Sequence, residues 1–296
     1  MTVWALDFPL GRPLLPAAQL TRRRPAPLGL TPLVKPGDRV RADQAVAEAP
    51  DRSQVILAGI AGRVREVTPG RDVSIEGQVM YVAGALGLGG SAVGPLAFLP
   101  RGESIAMVAI PAGAILVYPQ RMPLTLLQRA ISGGVAGIIA ASISGLELEA
   151  ISRLDLTALY DGLIPEGDRF PVPVILTEGL GERVMDAITQ RILTQRAGEY
   201  ALISGLTDPR RNIRPEILLS LPPDSPVMPL PADSALIVGA RVRVVAGEYR
   251  DAHGQSVQLF MHRQRDQIGM LSESARIRME NGLLCVTPLH TLERLA

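Results

Sequence analysis

Between Pro32 and Val82 the chain meets a turn signal after each short run of residues, and this rhythm limits the fold more than any other feature. Runs carrying Val34, Val40, Val46, Val55, Leu57, Val64, Val67, Val73 and Ile75 are parted by Pro36-Gly37-Asp38, Pro50-Asp51, Gly59, Gly62 and Pro69-Gly70. Proline presets the backbone angle of a turn, glycine admits left-handed angles and aspartate bonds its own backbone, so each break is a turn with a mechanism. Strands this short, turned this often, point to a small barrel or sandwich.

Within that stretch "VKPGDRVRADQAVAEA" resembles the hammerhead entry of a biotinyl/lipoyl-type barrel-sandwich domain, and "AGIAGRVREV" is similar to its return strand. The resemblance covers about fifty residues through their glycines and valines. Such domains carry their cofactor on a lysine at the hairpin tip. Here the tip reads Asp51-Arg52-Ser53, and a guanidinium cannot form the amide that attaches lipoate or biotin. Lys35 is the only lysine and stands at the preceding turn. The expectation is an unmodified barrel, with no covalent lipoate or biotin. That one count also leaves Lys35 as the sole candidate for a Schiff base or a phosphate-loop lysine.

Residues 1–24 show no clear period and end in Arg22-Arg23-Arg24 before Pro25, which reads as a solvated loop, with nucleic acid or lipid contact as the alternative. Residues 84–103 hold Gly87-x-Gly89-x-x-Ala92, a superficial dinucleotide fingerprint. Pro95 and Pro100 forbid the helix that such a motif needs, so a glycine-rich connector is expected.

The middle of the chain repeats. "AILV" at 114–117 returns as "VILT" at 174–177, and "ISGL" at 143–146 returns at 203–206. Between them lie two helical stripes, Leu124, Leu127, Ala130, Ile131 and Val184, Ala187, Ile188, Ile192. Two βαβ units in one largely parallel sheet are expected, since βαβ crossovers have a fixed hand. "GGVAGIIAA" and "PVPVIL" also resemble swivelling or protease-associated α/β modules.

After a proline-rich linker, "VGARVRVVAGEYRDAHGQSV" (238–257) resembles a KOW motif through Gly239, Val242, Val244, Gly247, Gly254 and Val257, and "GLLCVTPLHTLERL" (282–295) is similar to the closing strand and short helical end of such domains. KOW motifs belong to SH3-like barrels of transcription and ribosomal proteins, so the resemblance implies a nucleoprotein or protein partner.

The expected organisation is multidomain α/β plus β: a barrel-sandwich hybrid with its connector over 1–100, a duplicated α/β domain over 101–221, a linker over 222–234 and a small SH3-like barrel over 235–296. Hydrophobic residues make up 47% of the 296, which supports a sizeable core, while a net charge of +1 calls for no strongly electrostatic partner. The N-terminus lacks the pattern of a signal peptide, and no apolar run reaches the length needed to cross a bilayer. Cytoplasmic location without membrane insertion is expected.

Catalytic candidates are few. Cys285 is the only cysteine, and with His253, His262 and His290 it lacks paired ligand spacing, so no metal site or cofactor is expected. Ser144 and Ser204 have no assignable base. Because parallel sheets bind ligands at the carboxyl ends of their strands, a possible ligand site is Tyr118, Arg121, Glu178, Asp208, Arg210 and Arg211. There the arginines would hold an anion, or pair with neighbouring acids. In the last module Arg241 and Arg243 alternate with Val242 and Val244, which turns both outward, joined by Arg263, Arg265, Arg276 and Arg278. These six are the candidate nucleic acid or partner contacts. The function expected is a non-enzymatic adaptor or assembly factor. The alternatives are a structural accessory subunit of an enzyme or electron-transfer complex, and an enzyme or small-ligand binder using the α/β sheet.

Overall fold

The computed structural model describes residues 14–99, 109–152, 170–207, 214–225, 236–244, 248–260, 262, 264–265, 271–272 and 274–294. The chain is mostly strand and divides into two compact units, one of Leu14–Thr207 with Arg214–Leu230 and one that includes Pro231–Ala296. Among the described residues, no helix is long and apolar enough to cross a membrane.

In chain order the larger unit holds β1 (Leu14–Pro25), β2 (Thr31–Pro32), β3 (Arg39–Val40), β4 (Ala45–Glu48), β5 (Val55–Leu57), β6 (Gly62–Thr68), β7 (Asp72–Ala83), β8 (Leu86–Leu88) and β9 (Ser91–Phe98). There follow β10 (Ile115–Arg121), α1 (Leu124–Ser132), β11 (Gly137–Ser142), α2 (Gly145–Ser152), β12 (Val174–Leu176), α3 (Ala187–Gln195), β13 (Tyr200–Ser204) and β14 (Glu216–Ser220). Strands β2, β4 and β5 form a small sheet. The others form one mixed sheet in the order β3-β6-β7-β14-β13-β9-β10-β11-β12-β8, with β1 also paired to β7.

Strand β1 corrects, from Leu14 onward, the loop expected for residues 1–24, and residues 1–13 lie outside the described residues. Its described side chains alternate, with Ala18, Leu20 and Arg24 buried and Gln19, Thr21 and Arg23 exposed. The arginine run hid a strand, because two of its three charges face inward. Arg22 makes a two-pronged ion pair with Glu216, its Nε donating over 2.8 Å. Arg24 donates from Nε to the carbonyl oxygen of Leu57 at 3.0 Å.

The glycine-rich connector is also corrected, since β8 and β9 occupy it and β9 lies inside the sheet. Pro95 is tolerated because pairing with β10 begins only at Leu96. The glycines here serve close approach. A Cβ on Gly87 would overlap the carbonyl oxygen of Gly205, and one on Gly205 would overlap that of Leu88.

Strands β9 to β12 form a parallel block, so β10-α1-β11 is the expected βαβ unit. The second unit departs from expectation. Segment β12-α3-β13 has the right order of elements, but β13 runs antiparallel to β9 and hence to the whole block. The two Ile-Ser-Gly-Leu segments therefore leave opposite ends of the sheet, and the sheet is mixed. The physical reason is that apolar runs specify burial on both faces and are indifferent to strand direction.

Helices α1 and α2 cover one face of the block through Leu126, Leu127, Ala130 and Leu148, while α3 covers the other through Ile192 and Leu193. The stripe expected on α3 is shifted, for Val184 and Ile188 are exposed and Thr189, Ile192 and Leu193 are buried. A third core lies between the N-terminal strands. It takes Val40, Val46, Ile60, Val64, Val73 and Ile75, together with Leu202 of β13 and Leu218 of β14. Residues expected to form a separate barrel and a separate α/β domain thus share one sheet and one compact unit.

The smaller unit holds β15 (Arg241–Val244), β16 (His253–Leu259), β17 (Gln264–Arg265), β18 (Leu271–Ser272), β19 (Ser274–Met279), β20 (Leu284–Pro288) and β21 (Leu292–Arg294). Five of these form an antiparallel sheet ordered β20-β19-β16-β15-β21, with β17 and β18 as a separate pair. A 3-10 turn, Leu289–Thr291, joins β20 to β21. Its core is Val242, Val244, Ala275, Ile277, Met279 and Leu292, alternate residues that face inward.

Candidate functional site

Two places gather the residues that the sequence singles out. The first is the carboxyl end of the parallel block. Tyr118 and Arg121 end β10, Ser142 ends β11 and Glu178 follows β12. Arg121 lies between two carboxylates. Its Nη2 donates to Glu147 at 2.7 Å, and its Nε is 2.9 Å from Glu182 but out of line for a hydrogen bond, so that contact is one of charge. The guanidinium is already neutralised, which weakens the anion-holding reading in favour of surface ion pairing.

The rest of this cluster fastens the chain that follows β12. Buried Ser142 donates through Oγ to the Arg183 carbonyl at 2.9 Å and accepts from the Arg183 backbone N–H at 3.0 Å. Glu178 is also buried, and its carboxylate accepts from the backbone N–H of Asp186 at 3.1 Å. Asp186 in turn caps α3 by accepting from the N–H groups of Ile188 and Thr189. Sequence reasoning singles out Arg121 and Glu178 but misses Ser142, Glu182 and Asp186. Only Asp186, an acid at the start of a helical stripe, carried a readable signal. Asp208, Arg210 and Arg211 lie outside the described residues.

The second place is the outer face of the C-terminal sheet. Arg241 and Arg278 are exposed and Arg243 is half-buried, whereas Val242 and Val244 are fully buried, as strand alternation requires. Register puts Arg241 opposite Gln255 and Gln255 opposite Arg278, a row across three strands. Arg276, exposed two residues along β19, stands over the ring of Phe260 with its guanidinium carbon 5.5 Å from the centroid. No carboxylate pairs with Arg241, Arg276 or Arg278 among the described residues.

Arg265 is exposed on β17, and Arg263 lies outside the described residues. Sequence reasoning missed the apolar part of this face. Leu284 and Val286 on β20 are exposed and stand opposite Arg278 and Arg276.

The remaining candidates are dispersed. His253 and His262 are exposed, and buried Cys285 places its Sγ 3.2 Å from the Thr287 hydroxyl. Among the described residues no three metal-ligating side chains come together. At the β4–β5 tip, Asp51 accepts from the N–H and the hydroxyl of Ser53, which hold its carboxyl below the usual range. Arg52 sits there in the left-handed region at φ 58°. Lys35 is exposed at the separate Lys35–Asp38 turn.

No family model matches the chain, and no curated protein matches it.

Proposed function

We propose that the protein is a non-enzymatic adaptor or assembly factor that contacts RNA, or a nucleoprotein machine, through the outer face of its C-terminal sheet. The observation that carries this reading is the set of three exposed arginines, Arg241, Arg276 and Arg278, on one face with no carboxylate partner among the described residues. Guanidinium groups on two strands of one face, with a single strand between them, suit phosphate contacts, and Arg276 over Phe260 offers a flat cationic surface to a base. A five-strand meander whose first strand pairs with its last, with a 3-10 turn before that last strand, supports the SH3-like (KOW) reading.

The N-terminal strands are read as an unmodified lipoyl-like barrel-sandwich hybrid serving as a structural module. A cytoplasmic location goes with this role. The enzyme reading loses support at the strand ends, where Ser142 and Arg121 are already bonded to neighbours.

The test is RNA binding by the full chain across a salt series. The triple change Arg241→Gln, Arg276→Gln, Arg278→Gln should weaken binding, lower the slope of log affinity against log salt by about 2 and leave thermal stability unchanged. Absence of RNA affinity at low salt would overturn the RNA reading. In that case the second reading, a structural accessory subunit docking a protein, gains from exposed Leu284 and Val286.

A further inference from the structure

Arg22 and Arg24 face the same side of β1, yet their surroundings differ. Arg22 meets a carboxylate, Glu216, with both prongs of its guanidinium. Arg24 is 7% exposed, deeper than its neighbour, and meets none. Its one hydrogen bond runs from Nε to the Leu57 carbonyl oxygen, on β5. Its Nη1 and Nη2 have no hydrogen-bond partner among the described residues. These two nitrogens are not fully enclosed, so the tip of the fork keeps a little contact with solvent.

We infer that the free edge of the Arg24 guanidinium is a binding site for a small oxyanion, a carboxylate or a phosphate. A guanidinium presents two parallel N–H groups in a plane, and this fork matches two oxygens of either anion. Burial makes the fork selective. With so little of the side chain reaching solvent, the site admits a ligand at the nitrogen tips only, and β1 and β5 hold the plane in place. A buried cation without a counter-charge is costly, and a chain needing only a packed stem there is served by methionine or leucine. Burial alone pushes the Arg24 pKa down to about 10, and no neighbouring acid opposes it. No carboxylate among the described residues supplies the counter-charge, which leaves that role to an anion from solution.

The site is independent of the C-terminal arginine face, so the two proposals fail separately. The experiment titrates the full chain, Arg24→Met and Arg24→Lys with inorganic phosphate and, separately, with acetate, at constant ionic strength balanced by chloride. At tenfold the dissociation constant, the wild type should melt about 3 °C higher than in chloride. Both variants should show no such rise, because methionine lacks the charge and lysine lacks the fork. In chloride alone Arg24→Met should melt at or above the wild type. A rise with phosphate only assigns the site to phosphate, and one with acetate only to carboxylates. An equal rise in wild type and variants, or no rise in the wild type with either anion, overturns the inference. Should Arg24→Met fail to fold, Arg24→Lys carries the test, and binding within threefold of wild type would overturn it.

Discussion

Two glycines mark the point at which the large sheet changes partners. One edge of β7 pairs with β6 over Asp72–Glu76 and with β14 over Val79–Ala83. At the changeover Gly62 and Gly77 approach so closely that a Cβ on Gly77 would overlap the carbonyl oxygen of Ala61, and one on Gly62 that of Glu76. The Ala61 N–H leaves the ladder and donates to Ser220 Oγ at 2.8 Å instead. Backbone atoms cannot swing aside as side chains do, so Gly77→Ala should cost about 2–4 kcal/mol, read by denaturant unfolding. A second residue gives the alkaline behaviour. Burial, with Glu216 nearby, pushes the Tyr81 hydroxyl up to about 12. The unfolded chain then loses this proton first, near pH 10, and the folded chain keeps it. The stability this contributes is whole below pH 10 and is lost as pH rises towards 12. Arg24 acts with the opposite sign over the same window, because its burial penalty is relieved once it deprotonates above about 10. Comparing Tyr81→Phe with wild type by urea unfolding at pH 9 and pH 11 isolates the tyrosine. The variant should lose less stability over that span.

Strands β13 and β14 show why some elements were legible in the sequence and others were not. Ala201, Ile203, Ile217 and Leu219 enter the core beneath α3, while Leu202 and Leu218 enter the N-terminal core. A strand that serves two cores reads as an unbroken apolar run, so its existence was plain and its partner was not. Direction was hidden for the same reason, and the sixty-residue repeat made a parallel crossover look natural. Segment β10-α1-β11 was legible because a helical stripe with a glycine exit leaves few other arrangements. Strand β9 was not, for its glycines permit close packing and a flexible connector equally well. In the C-terminal sheet, alternation correctly turned Arg241 outward from Val242 and Val244. It said nothing of the ladder that brings Leu284 beside Arg278. Of the strand-end site, Arg121 and Glu178 could be named from position alone, but the ion pairs that occupy Arg121 depend on Glu147 and Glu182, which only the fold brings beside it.

At the scale of the whole molecule, Arg22 and Glu216 reveal how the large unit closes. Arg22 stands opposite Ile75 and Glu216 opposite Ala83. Eight residues of straight strand span roughly 26 Å, far more than the two side chains can bridge. Strand β7 must therefore bend strongly near Gly77, carrying β14 round towards β1. The N-terminal core is completed only by Leu202 and Leu218, from strands more than a hundred residues further on. A fragment of residues 1–100 should remain unfolded when expressed alone, with the flat near-ultraviolet dichroism of a chain without fixed packing, whereas a cooperative melting transition would show that the first hundred residues suffice. The pairing of β9 with β13 has a consequence during synthesis. Ser91 meets Ser204 and Pro95 meets Tyr200, so the two halves of one ladder leave the ribosome with more than a hundred residues between them. At about 5–20 residues per second, β9 waits roughly 5–20 s with that edge open, and β7 waits longer still for β14. Nascent chains of this protein pass through a period in which apolar strand edges can be claimed by other chains, the condition that holding chaperones exist to cover.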